Sequence, residues 1–244
     1  MASRHLSRAE ALACPGCRHA CHVMLYCDTK TLLFGSIPIR HIILVRKSHC
    51  LCLCVCVCVY NSFCHFPQMQ MRFDGLLGFP GGFVNLSEES LEAGLTRELS
   101  EELGMALPIL EEDHVDSCYA PASSSSSSSP RVITHFYAKK MEEEQIRELE
   151  RAAVTTAMDH GQEVLGMVRV PLYTMEDGGG LAPFFSHSFV GNARSQLADT
   201  LLRLHLIAPE ELREAIACSL AIQVRAAEEL RAALASAEAK RKLL

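Results

Sequence analysis

The spacing of apolar residues changes several times along the chain, and each change marks an element. "HACHVMLYC" and "TLLFGSI" are short apolar runs bounded by turn residues, and "IRHIIL" continues them; all three predict strands. "MQMRFDGLLGFPGGFV" predicts a strand entering a Gly/Pro-rich turn. From about Glu88 the period becomes helical. Leu95, Leu99 and Leu103 form one stripe, and Gly104 is the expected stop. "RVITHFYAKK" alternates as a strand, and "MEEEQIRELERAA" predicts a charged, exposed helix. "EVLGMVRVPLY" predicts another strand, ended by Pro171, and "MEDGGGLAP" a loop. From Asn192 the pattern is helical again, broken near Pro209. Strands interleaved with helices predict an α/β (α+β) domain with a mixed sheet over residues 1–208, and a C-terminal helix over 209–244.

Two stretches fit neither period. Residues 121–130, "PASSSSSSSP", have no apolar group to bury and predict a loop. Residues 45–68 carry six cysteines, five of them strictly alternating. Val45-Arg46 admits the codons GTAAGA, which have the form of an intron donor, and "HFPQ" admits a pyrimidine-rich run ending in CAG. Removing 45–68 joins "HIIL" to "MQMRFDG" as one strand-like segment, the expectation for a translated intron. A Cys-rich metal or redox loop is the alternative.

Composition narrows the class. The 244 residues are long enough for one domain with a sizeable core, and the net charge of −6 argues against an all-over basic nucleic-acid binder. The N-terminus has no apolar segment of the secretory type, and the longest apolar run, from Cys50 to Tyr60, is too short to span a bilayer; an intracellular protein is expected. Twelve cysteines in that setting are expected to be reduced thiols. Cys14 and Cys17 make a C-x-x-C, half of a zinc motif, with no second half at the required spacing.

The candidate chemistry lies in "GGFVNLSEESLEAGLTRELSEELGM", residues 81–105, where six glutamates surround one arginine. Glu98, Glu101 and Glu102 are three and four residues apart and share a helix face, where like charges repel by a few tenths of a kcal/mol per pair. The leucine stripe ties that helix to a core. Clustered carboxylates on an anchored helix suit a hard cation, Mg²⁺ or Mn²⁺, with substrate phosphates completing the shell. Glu88 and Glu92 are expected to face solvent.

"RELSEELGM" resembles the core of the Nudix box, with Arg97, Glu98, Glu101, Glu102, Gly104 and Met105 in place and Glu89 eight residues before Arg97. At typical residue usage, five such fixed positions coincide by chance about once in a million starts. One departure is Phe83, which stands where the pattern has glycine. "RHACHVMLY", "QMRFDGLLGFPGGFV", "RVITHFYAKK", "DHGQEVLGMVRVPLYT" and "SFVGNARSQL" narrow the resemblance to the small-nucleolar-RNA decapping branch of the Nudix hydrolases and its Tudor-interacting repair-regulator branch.

That resemblance implies an α/β/α sandwich and metal-dependent hydrolysis of diphosphate linkages in RNA caps and inosine di- and triphosphates. It implies Mg²⁺ or Mn²⁺ on Glu98 and Glu102, the carbonyl of Gly81 and Asp199. It gives Glu101 or Glu102 the task of activating water, and makes His22, Arg72, Phe79 and Gln196 the base and phosphate site. The family's loop histidine has no counterpart in "DSCYAPASSSSSSSP". Read from the residues alone, His22 suits a core as well as a site, Phe79 suits a turn plug, and Glu163 is a strand-edge charge or a base. The resemblance further implies a homodimer, a nuclear location and capped RNA as partner. The competing branch implies RNA and Tudor-domain binding without hydrolysis, and the tail "PEELREAIACSLAIQVRAAEELRAALASAEAKRKLL" resembles that branch more.

Overall fold

The computed structural model describes residues 5–30, 32–33, 37–38, 41–47, 74–119 and 131–241. In chain order these form β1 (His5–Leu6), α1 (Arg8–Leu12), β2 (Arg18–Asp28), β3 (Leu32–Leu33), β4 (Ile37–Pro38), β5 (His41–Lys47), β6 (Leu77–Gly78) and β7 (Gly81–Val84). Then come α2 (Leu91–Leu103), a 3₁₀ turn (Glu111–Asp113), β8 (His114–Tyr119), β9 (Val132–Lys140), α3 (Glu143–Thr155), β10 (Met167–Arg169), α4 (Leu181–Ser186), α5 (Ala193–Arg203) and α6 (Pro209–Arg241). Arg72, the serine run and all of 45–68 beyond Lys47 lie outside the described residues.

The strand β2 is the spine of a mixed sheet of order β1-β8-β9-β2-β5-β10. It runs parallel to β9 along one edge. Its other edge is shared: β7 pairs with His19–His22, and β5 with Leu25–Asp28. Between them the Val23 N–H donates to the Pro80 carbonyl at 3.0 Å, so the sheet forks where the glycine turn leaves.

Side-chain alternation along β2 feeds two cores. Cys21, Val23, Leu25 and Cys27 pack with Leu91, Leu95, Leu99 and Leu103 of α2 and Ile146, Leu149 and Ala153 of α3. Met24 packs on the opposite face with Phe79, Phe136 and the apolar sides of α4, α5 and the start of α6. This is the expected α/β/α sandwich.

Several boundaries move for identifiable reasons. The helix expected from Glu88 starts at Leu91, because Asn85 first turns the chain and Ser90 caps the helix by accepting from the Ala93 N–H at 3.1 Å. It ends at Gly104 as expected, in the left-handed region. The helix expected to be exposed over 141–153 buries Ile146, Leu149 and Ala153, an i, i+3, i+7 stripe hidden among charges. The strand β8 has no apolar alternation to announce it. One of its two buried residues is polar: Ser117 bonds His135 and His114, each at 2.9 Å, and His135 bonds His19 at 2.9 Å. Burial pushes His19, His114 and His135 below the ordinary histidine range, His135 to about 3.

Candidate active site

Two glycines bring the acidic helix onto the sheet. Gly81 has φ +127°, and a Cβ there would lie 2.1 Å from the Cys21 carbonyl oxygen. A Cβ on Gly82 would lie 2.2 Å from the Glu98 Oε2. The bare backbone therefore lets α2 approach until the Gly81 N–H donates to the Glu102 Oε2 at 2.9 Å. Glu102 is 1 % exposed. A carboxylate removed from water needs such donors or a cation to offset its desolvation. The Phe83 departure is accommodated without strain. Phe83 sits in β7, and His205 is the one non-glycine with positive φ among the described residues.

Arg97 organises the rim. It donates to both Glu89 carboxylate oxygens at 2.9 and 3.3 Å, to Glu98 at 2.8 Å and to the Phe83 carbonyl at 3.3 Å; Glu101 lies at 3.4 Å. The Arg97 hydrogen bonds hold Glu89 below the usual carboxylate range. Glu92 departs from expectation. Instead of facing solvent it accepts from the Tyr137 hydroxyl at 2.8 Å and pairs with Arg8 at 2.7 Å, while Glu88 is exposed.

These elements enclose a cleft of about 630 Å³. His22, Phe79, Gly81, Glu98, Glu101, Glu102 and Gln196 all line it. Phe79 also packs on Phe136, ring centroids 4.7 Å apart. Gln196 is buried, and its Nε2 has no hydrogen-bond partner among the described residues. The structure does not bring Asp199 to this cleft. It sits on the outer, exposed flank of α5, whose buried side is Ala193, Gln196, Leu197, Thr200 and Leu201. Asp159 and Glu163 line the cleft instead. The Met158 N–H donates to the Glu101 carbonyl at 3.0 Å, pinning their loop to the end of α2. Both lie in "DHGQEVLG", from which the sequence singles out only Glu163 as a candidate base.

Five carboxylates thus line the cleft, and no lysine or arginine does among the described residues. No three His, Cys, Asp or Glu side chains are gathered into a single metal-binding group among the described residues. What is gathered is the pair Glu98 and Glu102 against the Gly81–Gly82 backbone. One or two carboxylates plus substrate oxygens is how Mg²⁺ is usually held, so the donor set fits a hard divalent ion.

With that geometry in view, the chain matches the family model described as "Nudt16-like: U8 snoRNA-decapping enzyme-like" over residues 19–207. The chain belongs to this family of Nudix hydrolases. A relative named U8 snoRNA-decapping enzyme from Bos taurus is 47 % identical over 208 residues, covering 84 % of this chain and 92 % of that one. The Xenopus laevis protein of that name is 40 % identical over 221 residues, covering 90 % and 91 %. A Homo sapiens relative named Tudor-interacting repair regulator protein is 41 % identical over 229 residues, covering 93 % of each. A solved structure, the Nudix domain of Shewanella oneidensis NrtR complexed with ADP ribose, aligns at 16 % identity with a TM-score of 0.45, over 82 % of this chain and 99 % of that one.

Proposed function

We propose that this Nudix hydrolase cleaves diphosphate linkages in capped RNA and in inosine di- and triphosphates, with Mg²⁺ or Mn²⁺ in the cleft. One observation carries the reading. The cleft is lined by five carboxylates, and two of them, Glu98 and Glu102, are held against the Gly81–Gly82 backbone as a donor set suited to a hard divalent ion that can carry a phosphate chain's charge. Glu98 and Glu102, with the carbonyl of Gly81, would hold the ions. When bound, such ions neutralise phosphate charge and lower the pKa of water.

The protein's own residues do the rest. The Gly81 N–H fixes the Glu102 carboxylate, and Arg97 fixes Glu98 from the rim. Glu101 or Glu102 takes the proton of the attacking water as the phosphorus–oxygen bond to the leaving phosphate breaks. Phe79 and His22 form the wall for base and phosphate, and the Gln196 Nε2, without a partner among the described residues, offers a donor to a ligand acceptor. Arg72 is assigned to the same site on the family resemblance; Asp199, outside the cleft, has no part in this reading.

The test is phosphate release from inosine diphosphate, and release of the cap nucleotide from a capped RNA, by the full chain with Mn²⁺. Turnover of both is expected. Tight RNA binding with no product from either substrate would favour a second reading, an RNA- and Tudor-domain-binding regulator of DNA repair. The observation favouring that reading is the longer match to the repair regulator, 229 residues against 208 for the bovine decapping relative.

A homodimer and a nuclear location are proposed with this function. The helix α6 supports the dimer: Leu220, Val224, Leu230 and Leu234 are exposed along it, while Ile216 half-buries on its own domain. Light scattering at micromolar concentration is expected to return a dimer.

A further inference from the structure

We propose that Cys14 and Cys17 are a dithiol–disulfide pair that exchanges with small disulfides of the glutathione class. The proposal is independent of the hydrolase reading. The chain leaves α1 at Ala13, passes Pro15 and Gly16, and enters β2 at Arg18. Gly16 takes φ +67°, a left-handed turn that brings the two cysteines face to face, and nothing lies within 4 Å of its Cα substituent position. The two sulfurs are 3.0 Å apart. A disulfide needs about 2.05 Å, so closure asks for about 1 Å of movement in a turn with open space around it.

The surroundings separate the two thiols chemically. Cys14 Sγ also lies 3.0 Å from the Tyr119 hydroxyl, and the Arg131 guanidinium stands over the Tyr119 ring at 5.9 Å. The Cys17 thiol, the Tyr119 hydroxyl and Arg131 together hold Cys14 below the ordinary thiol range, whereas burial and Cys14 itself push Cys17 up. Low-pKa C-x-x-C cysteines are the ones that attack. Both residues are half-exposed in a second cleft of about 760 Å³, also lined by Arg18 and Phe83, so a tripeptide has access. Cys21, Cys27 and Cys118 are buried, and Cys218 is exposed without a described cysteine partner.

The exchange balances. The Cys14 thiolate attacks one sulfur of glutathione disulfide; that S–S bond breaks and one glutathione leaves as thiolate with the electron pair. Cys17 then loses its proton to solvent and attacks the Cys14 sulfur, expelling the second glutathione. Two protein thiols are oxidised and one glutathione disulfide is reduced to two glutathiones.

The test is a time course of the reduced full chain in glutathione disulfide, quenched in acid, alkylated and peptide-mapped. Cys14 and Cys17 are expected to lose label together and to appear in one peptide joined by a disulfide, while Cys218 gains only a glutathione adduct. Cys17→Ser is expected to trap glutathione on Cys14. Cys14→Ser is expected to slow modification of Cys17 by about tenfold or more. A Cys14–Cys17 pair still alkylated when Cys218 is fully modified would overturn the proposal. So would a bond from Cys14 to a different cysteine, or Cys17 reacting at the unchanged rate in Cys14→Ser.

Discussion

The helices α2 and α6 both mix leucine with many charges, but only α2 has an occupation for every face. Leu91, Leu95, Leu99 and Leu103 fill one core, and Glu98 and Glu102 lie against the glycine backbone of β7. Arg97 straps the rim. In α6 the buried positions are Leu212, Ala215 and Ser219, all in the first half; from Val224 on, only Ala227 is even half-buried. A carboxylate on α2 is therefore held in place by its neighbours, whereas one on the end of α6 is only solvated. Charge on a helix is informative about chemistry where the opposite face is anchored.

The largest expected effect tests the occupied side of that contrast. Chelating divalent metal should drop inosine diphosphate turnover to the uncatalysed background, and Mn²⁺ should restore it. Turnover that persists after chelation would remove the reason given for five carboxylates in the cleft. Next comes the anchor. Leu99→Ala should cost roughly 2–5 kcal/mol of stability, the range for a fully buried leucine, read from urea unfolding. A cost under about 1 kcal/mol would mean α2 is not anchored as described.

A smaller effect concerns the buried His19–His135–Ser117–His114 chain. These histidines are neutral in the fold, with His135 pushed down to about 3, while unfolded histidine protonates near 6.5. Below about 6.5 the unfolded chain therefore binds protons that the folded chain does not. Stability should fall as pH falls from 6.5 toward 3, with His135 contributing up to about 1.4 kcal/mol per pH unit. Unfolding midpoints that stay flat between pH 7 and 5 would contradict this. The smallest effect belongs to α6. Replacing Leu230 and Leu234 together by serine should change domain stability by no more than about 0.5 kcal/mol, because both are exposed. The same variant should shift the light-scattering mass toward monomer; an unchanged dimer would move the interface elsewhere.

The sequence made α2 legible because its apolar stripe, serine cap and terminal glycine agree with its acidic face. The central strands β2 and β9 were legible for the same reason, each being a run of residues suited to a strand. What stayed hidden depends on contacts between distant segments. The strand β8 buries only Ser117 and Cys118 and half-buries His114, so no apolar alternation marks its inward face. Asp159 reaches the cleft through a backbone bond from Met158 to Glu101, which no spacing encodes. Asp199 is expected as a metal ligand on the family resemblance, and only packing decides that Gln196 faces the cleft and Asp199 solvent.

The most direct test is the steady-state rate of inosine diphosphate hydrolysis by Glu102→Gln with Mn²⁺, beside the parent chain and a Glu88→Gln control. The substitution keeps size and most hydrogen bonding at the Gly81 N–H but removes the charge. A fall of roughly 10²–10⁴ in turnover is expected, the range for losing an activating base, with RNA binding largely retained and Glu88→Gln unchanged. Hydrolysis by Glu102→Gln at the parent rate would contradict the assignment of this cleft as the hydrolytic centre.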